Sequence, residues 1–462
     1  MREEQDMLQV KGKYIVDEQG KEIVLIGYNV GNWMMLENFM LGFPGAEHEF
    51  RDAFRKHAGE EKYTHFFEKY YEYFLGERDI EFMKELGMNC IRIPMNYRLF
   101  ESDNQPGQYC EETIERLDRI VEICRRYGMY IILDMHAVQG YQSTAWHCDN
   151  NGTPARIYTH QDERRRFYNL WRYLAEHFKG EDTIAGYDLI NEPVAAPEEI
   201  DMLNQIYREA VAAIREVDPN HIIFIAGNFY NKDFTVLDAP FTENLAYTPH
   251  YYLAACTSEP MPYPGEYGGL KYDRALIETQ MDAADEYMRT HNVPCWIGEF
   301  GVRLNYPGFT KDRLKCFADQ LDTICSRRHH YSIWNYKDIG YLSTVTVKED
   351  SLWMEFTKDI RRIKEKYFLD QNFRVNEDWG LSTLLNLKDA DTFDDRYGTA
   401  KEMVAANIKH ALSTVLADIM GRKLAELSKE ELGELASSFA FENCSIDQRR
   451  VEIIKKYGYP KL

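Results

Sequence analysis

The stretch Gly186-Tyr187-Asp188-Leu189-Ile190-Asn191-Glu192-Pro193 decides how this sequence is interpreted. It begins as a short apolar run typical of a buried β-strand, and it ends in an amide, a carboxylate and a proline that fixes the following turn. A second stretch of the same kind, Trp296-Ile297-Gly298-Glu299-Phe300-Gly301, lies later in the chain. Each stretch places a glutamate at the end of a β run. This pattern indicates a fold in which the residues at strand ends form the functional site.

Short apolar runs recur along the chain, and most of them are followed by an amphipathic helical stretch. Eight such runs are found, at residues 23–28, 89–94, 130–136, 184–190, 221–226, 245–250, 295–299 and 331–334. Helical patterns are found at residues 66–86, 113–127, 162–178, 197–217, 272–290 and 311–328. This alternation predicts an α/β fold of the TIM (β/α)8 barrel type. A doubly wound open sheet is the alternative, but residues 27–33 are not the Gly-rich phosphate loop that it needs.

Two further regions flank the predicted barrel. At the N-terminus we expect a β-hairpin in which residues 14–16 pair with residues 23–25 and which plugs the barrel floor. Residues 1–370 would then form the barrel with this hairpin. Residues 371–462 would form a helical extension packed on it, because no low-complexity linker separates the two. Its helices are predicted at residues 401–427, 430–436 and 446–457.

Composition excludes several classes of partner. A chain of 462 residues with 44% hydrophobic and 28% charged residues can bury a large core. A net charge of −21 disfavours nucleic acid and anionic membranes, which need clustered Lys and Arg. The charged N-terminus precedes no apolar run of signal or membrane length, and 9 Cys without a CxxC pair indicate a reducing compartment. We therefore expect a cytoplasmic protein, for which an oligomer stays open.

In a TIM barrel, residues at the C-terminal ends of the strands face the active site. Glu192 follows the fourth run and Glu299 ends the seventh, so they lie across the barrel mouth. Glycoside hydrolysis needs such a pair, one acid to protonate the leaving oxygen and one carboxylate to attack the anomeric carbon. The other strand ends supply Trp33, Arg92, His136, Asn191, His250, Tyr252 and Trp334.

From about residue 8 to residue 345 the sequence resembles glycoside hydrolase family 5, the cellulase-like retaining enzymes of clan A. The motifs that carry the resemblance are Ile91-Arg92-Ile93-Pro94, Leu133-Asp134-Met135-His136, Leu189-Ile190-Asn191-Glu192-Pro193, His250-Tyr251-Tyr252, Gly298-Glu299-Phe300-Gly301 and Trp334-Asn335-Tyr336-Lys337-Asp338. The resemblance implies that Glu192 is the general acid/base and Glu299 the nucleophile of a double displacement.

The resemblance also implies roles for the neighbouring residues. Arg92 would hold Glu299 ionised and Tyr252 would donate a hydrogen bond to it. Asn191 would bind the sugar 2-hydroxyl, and His250 would support Glu192. At the −1 subsite, His136 would contact the sugar and Trp334 would stack on it.

Electrostatics is consistent with these two roles. Arg92 beside Glu299 is expected to lower the pKa of that carboxyl, and nearby negative charge to raise the pKa of Glu192. The sequence predicts no metal and no cofactor, because a metal-dependent barrel would want a His-x-His pair where the first strand offers only Asn29 and Asn32.

Loops supply further candidates for substrate contact. The segment Trp146-His147-Cys148-Asp149 lies after the third strand, and Trp33, Glu37 and Trp353 are candidates for the rim. The plain reading of Trp146 to Asp149 as an ordinary loop stays open beside the functional one.

Long insertions bear on the substrate. Residues 37–63, 139–159 and 254–269 could wall one end of a cleft into a pocket. We therefore expect exo-action on short β-linked gluco- or manno-oligosaccharides or small β-glycosides. An endo-β-glucanase or mannanase of the same family is the alternative. A catalytically silent carbohydrate-binding barrel is a further alternative, and the presence of both carboxylates argues against it.

Overall fold

The computed structural model describes residues 7–253, 260–306, 308–367, 369–370, 394–395 and 398–459, with the backbone alone at 394–395 and 398–406. Its strands are β1 (Gln9–Lys11), β2 (Tyr14–Val16), β3 (Ile26–Asn29), β4 (Cys90–Asn96), β5 (Tyr130–Ala137), β6 (Ile184–Asp188), β7 (Ile222–Ala226), β8 (Leu245–Thr248), β9 (His250–Tyr251), β10 (Gly265–Tyr267), β11 (Leu270–Tyr272), β12 (Trp296–Phe300), β13 (His330–Ile333), β14 (Lys337–Asp338), β15 (Val345–Val347), β16 (Asp394–Asp395), β17 (Gly398–Thr399) and β18 (Cys444–Ile446).

The α-helices alternate with these strands over most of the chain. They are α1 (Asn38–Leu41), α2 (Glu47–Phe74), α3 (Glu77–Glu85), α4 (Glu111–Tyr127), α5 (Gln161–Phe178), α6 (Ile200–Arg215), α7 (Asn228–Asn231), α8 (Arg274–Ala284), α9 (Glu286–His291), α10 (Thr310–Ser326), α11 (Leu352–Lys366), α12 (Ala400–Glu426), α13 (Lys429–Ser437) and α14 (Gln448–Tyr457). Among the described residues, no helix is both long and apolar enough to cross a membrane.

The predicted TIM barrel is confirmed. Parallel pairing runs β8-β7-β6-β5-β4-β3-β13-β12-β9, and a parallel bridge between Tyr247 and Cys295 joins β8 to the residue that precedes β12. The sixth barrel strand is interrupted at Pro249 and therefore counts as two, β8 and β9. The ring of eight strands is closed, and all eight predicted β runs lie in it.

The register of this ring prepares the site. Asn29 lies opposite Arg92 across β3 and β4, and Glu299 lies opposite His250 across β12 and β9. Between these strands there is little space: a β-carbon on Gly298 would come within 2.2 Å of Thr248 Oγ1. Glycine is needed at that position because the neighbouring strand approaches too closely for a side chain.

The hairpin differs from its prediction in pairing but not in place. β1 pairs antiparallel with β2 around Gly12, and the expected pairing of β2 with residues 23–25 is reduced to a bridge between Val16 and Glu22 and a hydrogen bond from the Ile23 N–H to the Ile15 carbonyl at 2.9 Å. Leu8, Ile15 and Leu25 are buried in one cluster with inward-facing barrel residues that include Trp296. The N-terminal segment thus closes the barrel floor.

The insertion after the first barrel strand is largely helical. The helix predicted at residues 66–86 is two helices, α2 and α3, and α2 begins far earlier than expected, at Glu47. Its buried face is rich in aromatic side chains that pack against one another, as Phe54 does edge to face on Phe66. Aromatic residues at helical spacing explain why α2 packs firmly on the barrel.

The C-terminal helices contact this same insertion. His57 on α2 lies 2.7 Å from Asp418 on α12, and Lys62 Nζ donates to the Ala425 carbonyl at 2.8 Å. Further on, β18 pairs antiparallel with β15. The three predicted C-terminal helices match α12, α13 and α14, while most of residues 371–397 lies outside the described chain and the domain division at residue 370 stays a prediction.

Candidate active site

Glu299 is held on both oxygens by barrel residues. Arg92 Nη1 donates to Oε1 at 2.8 Å, and the Tyr252 hydroxyl donates to Oε2 at 2.9 Å. The carboxylate is 4% exposed at the end of β12. Two donors, one of them cationic, make this carboxylate an oriented anion.

Arg92 binds the buried polar side chains that surround Glu299. Its Nε and Nη2 donate to Asp188 Oδ2 at 3.0 and 2.8 Å, and Nη2 also lies 3.1 Å from Asp134 Oδ2. Asn191 and Asn29 accept from the guanidinium at 2.9 and 3.0 Å. A fully buried guanidinium that uses its fork in this way fixes the side chains around it.

Glu192 lies on the loop after β6 with backbone in the left-handed region, at a φ of 46°. Its backbone N–H donates to Asn231 Oδ1 at 3.1 Å. Its Oε1 lies 2.8 Å from His250 Nδ1, and its Oε2 lies 3.5 Å from His147 Nε2. Ligand atoms of Glu192, His250 and Glu299 all lie within 4.8 Å of one another. The two carboxylates therefore face each other with oxygens no more than 4.8 Å apart.

A stack of rings borders the two carboxylates. Trp334 lies parallel to His136, with ring centroids 5.4 Å apart and planes at 11°. Asp134 Oδ2 lies 2.7 Å from His136 Nδ1, and Asn191 Nδ2 lies 3.2 Å from His136 Nε2. Every strand-end residue predicted for the site except Trp33 is thus brought together, although the roles of these residues toward a sugar stay predictions.

Protonation in this site is dominated by burial. Burial raises the pKa of Glu299; His250 and Arg92 lower that pKa, and the charge of Glu192 raises it. The expected lowering by Arg92 is real but outweighed, so the predicted net direction is wrong. Burial also lowers the pKa of His250 to about 3 and that of His136 to about 4. Both rings are neutral near pH 7, and His250 can donate to Glu192 without carrying charge.

Two loop residues reach the site. Glu37 Oε1 lies 3.9 Å from His136 Nε2, and burial, then the charges of Glu299 and Glu192, raise the pKa of Glu37 well above its ordinary value. His147 approaches Glu192 as described above. The sequence named both only as loop candidates, because a position inside an insertion carries no strand-end signal.

Two tryptophans predicted for substrate contact or the rim lie in the core instead. Trp33 is 1% exposed and its indole N–H donates to the Tyr71 carbonyl at 3.1 Å. Trp353 is 2% exposed and donates to the Leu41 carbonyl at 2.7 Å. A rim platform needs an exposed ring face, so these two predictions are wrong. Both rings are covered by the insertion that contains α1 and α2.

The spacing of Glu192, His250 and Glu299 would also admit a metal ion, and among the described residues this is the group with such spacing. The surrounding chemistry does not favour a cation. Arg92 already places a full positive charge at 2.8 Å from Glu299, and a second cation there would be repelled. The arrangement suits acid/base and nucleophilic chemistry on a neutral substrate.

Comparisons with known proteins agree with this geometry. The family model for cellulase (glycosyl hydrolase family 5) matches residues 52–340. A β-xylosidase from Phanerodontia chrysosporium is 34% identical over 465 residues, which cover 95% of each chain. Endoglucanase C from Acetivibrio thermocellus is 26% identical over 318 residues, which cover 61% of this chain and 89% of that protein.

Solved structures show the same fold. An endogalactoceramidase structure has a TM-score of 0.53 at 18% identity and covers 72% of this chain and 75% of its own. A hyperthermophilic endo-β-1,4-glucanase has a TM-score of 0.52 at 17% identity, covering 73% and 96%. The family match over more than half of the sequence and the β-xylosidase relative over nearly all of it confirm the resemblance: this chain belongs to glycoside hydrolase family 5 and is a glycoside hydrolase.

Proposed function

We propose that this protein is a retaining β-glycosidase that releases a terminal sugar from short β-linked gluco- or manno-oligosaccharides or small β-glycosides. One observation carries the proposal: the oxygens of Glu192 and Glu299 approach within 4.8 Å. Retaining enzymes place their carboxyl groups about 5 to 5.5 Å apart, whereas inverting enzymes leave about 6.5 to 9.5 Å for a water.

The hydrogen bonds support a different role for each carboxylate. Glu299, with Arg92 and Tyr252 donating to it, is the stabilised anion and attacks the anomeric carbon. Glu192, supported by the neutral His250, protonates the glycosidic oxygen as the leaving group departs. Once the glycosyl ester forms, the charge of Glu299 is gone and Glu192 becomes easier to deprotonate. Glu192 then takes a proton from the water that attacks the ester, and configuration is retained.

Glu37 supports exo-action. Its carboxylate is a third acidic group facing both catalytic carboxylates, and its side chain is 9% exposed. A carboxyl group can form hydrogen bonds with two neighbouring hydroxyls of a terminal sugar, accepting on one oxygen and, when protonated, donating from the other. Such a group at the wall of the pocket leaves little room for a longer chain at that end, which favours a terminal residue over an internal one. The endo-acting alternative is favoured only by the name of the endoglucanase relative.

A panel of aryl glycosides tests the proposal. It comprises aryl β-glucoside, β-mannoside, β-galactofuranoside and β-cellobioside, with β-xyloside added because one relative is named a β-xylosidase. We expect turnover of at least one monosaccharide glycoside, with the β-anomer appearing first by NMR. An α-anomer as first product would refute retention, and turnover of the cellobioside alone would favour endo-action. Sugar binding with no turnover across the panel would favour the silent binding barrel.

A cytoplasmic location belongs to the same proposal, because a protein in that compartment meets small imported glycosides. Buried thiols at Cys90, Cys124 and Cys295 support it, since buried unpaired thiols are typical of reducing compartments. Fractionation of source cells with an antibody against the protein is the test. Recovery in the medium or cell wall would contradict it.

A further inference from the structure

Glu192 has two imidazole neighbours that are held in different ways. His250 Nδ1 lies 2.8 Å from Glu192 Oε1, and His147 Nε2 lies 3.5 Å from Glu192 Oε2. His250 belongs to β9 and pairs with Glu299 in the barrel register, so the barrel itself fixes its position. His147 lies in the loop between β5 and α5, in a single helical turn rather than a strand. Contacts outside the barrel strands must therefore fix its position.

That turn couples His147 to the residue before it. It spans Trp146–Cys148 as a 3-10 turn, and the Asp149 N–H donates to the Trp146 carbonyl at 2.9 Å. Neighbouring side chains in a 3-10 helix point about 120° apart, because the helix has three residues per turn. His147 can thus face Glu192 while Trp146 points elsewhere. A contact that fixes Trp146 also fixes the direction of His147.

Trp146 is held by a side chain of the C-terminal helix α12. Its indole N–H donates to His410 Nδ1 at 3.1 Å, and the two rings meet edge to face with centroids 5.6 Å apart. Burial lowers the pKa of His410 to about 4, so the ring is neutral near pH 7 and its Nδ1 can accept. His410 also packs against Gly152, where a β-carbon would come within 2.6 Å of His410 Nε2. One histidine of α12 therefore contacts this loop at two places.

The helix α12 is itself packed on α2, which fixes His410 relative to the barrel. The two helices approach so closely that a β-carbon on Gly421 would come within 2.5 Å of the Ala53 carbonyl oxygen. Thr414 Oγ1, about one turn beyond His410, donates to Glu49 Oε1 at 2.8 Å. Because α2 packs on the barrel, His410 is a fixed point from which the loop can be held.

His147 contacts Glu192 as a neutral ring. Burial lowers the pKa of His147 to about 4. With His250 at one oxygen of Glu192 and His147 at the other, rotation of the carboxyl group is restricted from both sides. A general acid works only when its proton is aimed at the oxygen of the bond that breaks, and a misplacement of about 1 Å can cost about 10²-fold in rate.

These contacts form one path from the C-terminal extension to the general acid. We propose that His410 is a positioning residue for the acid/base: by holding Trp146, it keeps His147 against Glu192. The helix α12 is then a part of the active-site machinery, although it lies outside the barrel. This role rests on the proposed function, because only an enzyme with a general acid needs the carboxyl group of Glu192 to be aimed.

The dependence on the leaving group tests this role. In His410→Ala the Trp146 indole loses its acceptor, but Asp149 still accepts from the His48 N–H at 2.7 Å, so His147 shifts while its loop stays in place. For alkyl β-glycosides, which need the acid, kcat/KM should fall about 3- to 30-fold, a part of the roughly 10²- to 10⁴-fold that a general acid contributes. The dinitrophenyl β-glycoside of the same sugar departs without protonation and should lose less than about 2-fold.

The ratio of these two kcat/KM values separates positioning from stability. A variant that is only less stable lowers both values by the same factor and leaves the ratio unchanged. In His410→Gln the amide oxygen can accept from the Trp146 indole, so this variant should restore most of the wild-type ratio. An unchanged ratio in His410→Ala would overturn the proposal.

Trp146→Phe tests the same contact from the loop. The variant keeps a ring but has no N–H to donate, so it should lower the ratio as His410→Ala does. Combining the two substitutions should add little, because both remove the same hydrogen bond. Fully additive losses would show that His410 acts by another route and would overturn the proposal.

A matched control is available in His57. It also contacts α12, through Asp418 at 2.7 Å, about two helical turns beyond His410. His57→Ala should keep the wild-type ratio, and a fall equal to that of His410→Ala would overturn the proposal. The wild type reports on the proposed function separately. Hydrolysis with no change of ratio in His410→Ala and Trp146→Phe overturns this inference alone, whereas no hydrolysis of any β-glycoside, the dinitrophenyl glycoside included, overturns both.

Discussion

The two carboxylates of this site are held in different ways. Glu299 lies near the end of the barrel strand β12, and its partners Arg92 and Tyr252 come from two other barrel strands or their ends. Glu192 lies on a loop in a left-handed conformation, and it faces His147 from an insertion. In the proposed mechanism, the side that attacks the sugar is therefore set by barrel strands, whereas the side that faces the leaving group combines His250 of a barrel strand with loop residues. Adaptation to a new leaving group can proceed on the second side without disturbing the first.

The largest expected effect comes from removing the carboxylate of Glu299. Glu299→Gln keeps the shape of the side chain but abolishes the nucleophile, so kcat for aryl β-glycosides should fall on the order of 10⁴-fold or more. The loss should be the same for good and poor leaving groups. Steady-state kinetics measures it, and thermal unfolding checks that the fold is intact. Full activity in this variant would refute the assignment of Glu299.

Glu192→Gln should affect substrates with poor and good leaving groups differently. Substrates with poor leaving groups need the acid and should lose about 10²- to 10⁴-fold in kcat/KM. Activated dinitrophenyl glycosides depart without protonation, so their loss in the glycosylation step should be far smaller. A plot of log kcat/KM against the pKa of the leaving phenol becomes steeper in the variant. Equal losses across the series would show that Glu192 does not donate the proton.

Arg92→Met tests how much the buried ion pairs around Glu299 contribute to stability. The variant leaves Asp134, Asp188 and Glu299 buried without their cation. Removing one partner of a buried ion pair costs about 3 to 5 kcal/mol, so the free energy of unfolding should fall by about that amount. Urea denaturation measures it. Arg98→Met, at a partly exposed arginine on the same barrel, is the control and should cost less.

The last predicted effect is a pH dependence of stability on the side of Glu299. Burial raises the pKa of Asp134 to about 7 in the folded protein, although Arg92 lowers it. An acid with a raised folded pKa stabilises the fold below its unfolded pKa of about 4, and this contribution is lost as the pH rises through about 7. The difference in unfolding free energy between wild type and Asp134→Asn should therefore shrink from pH 4 to pH 8.

Urea denaturation at several pH values follows that difference. Asp118→Asn, at an exposed carboxylate, is the control for the effect of an Asp→Asn substitution as such. If the stability difference instead grows with pH, Asp134 is ionised in the folded protein below neutral pH and its pairing with Arg92 outweighs burial.

Sequence reasoning predicted the placement of side chains correctly where that placement depends on position along a strand. Arg92, His136, Asn191, Glu192 and Glu299 all follow from reading strand ends, because a parallel barrel brings those ends to one face. It failed where orientation or burial decides. Trp33 lies beyond a strand end, but its ring turns into the core beneath the insertion, and no local pattern records that direction.

Burial and long-range contacts account for the other differences. The net pKa shift of Glu299 depends on desolvation, which arises only when the barrel closes around it. His147 reaches Glu192 because its loop folds back and is held by Asp149, which accepts from the His48 N–H at 2.7 Å and from Asn96 at 3.0 Å. Those partners come from distant segments, and a single sequence contains no signal that pairs them.

The contact between Trp146 and His410 has a consequence for the timing of assembly. It joins residues 264 positions apart, and Thr414 donates to Glu49 across 365 positions. A chain emerging from the ribosome presents all eight barrel strands before α12 exists. Contacts of such long sequence separation form slowly. We therefore expect the side of Glu299 to form first and the loop that contains His147 to be fixed last, so that a nascent chain completes its barrel before it completes the surroundings of Glu192.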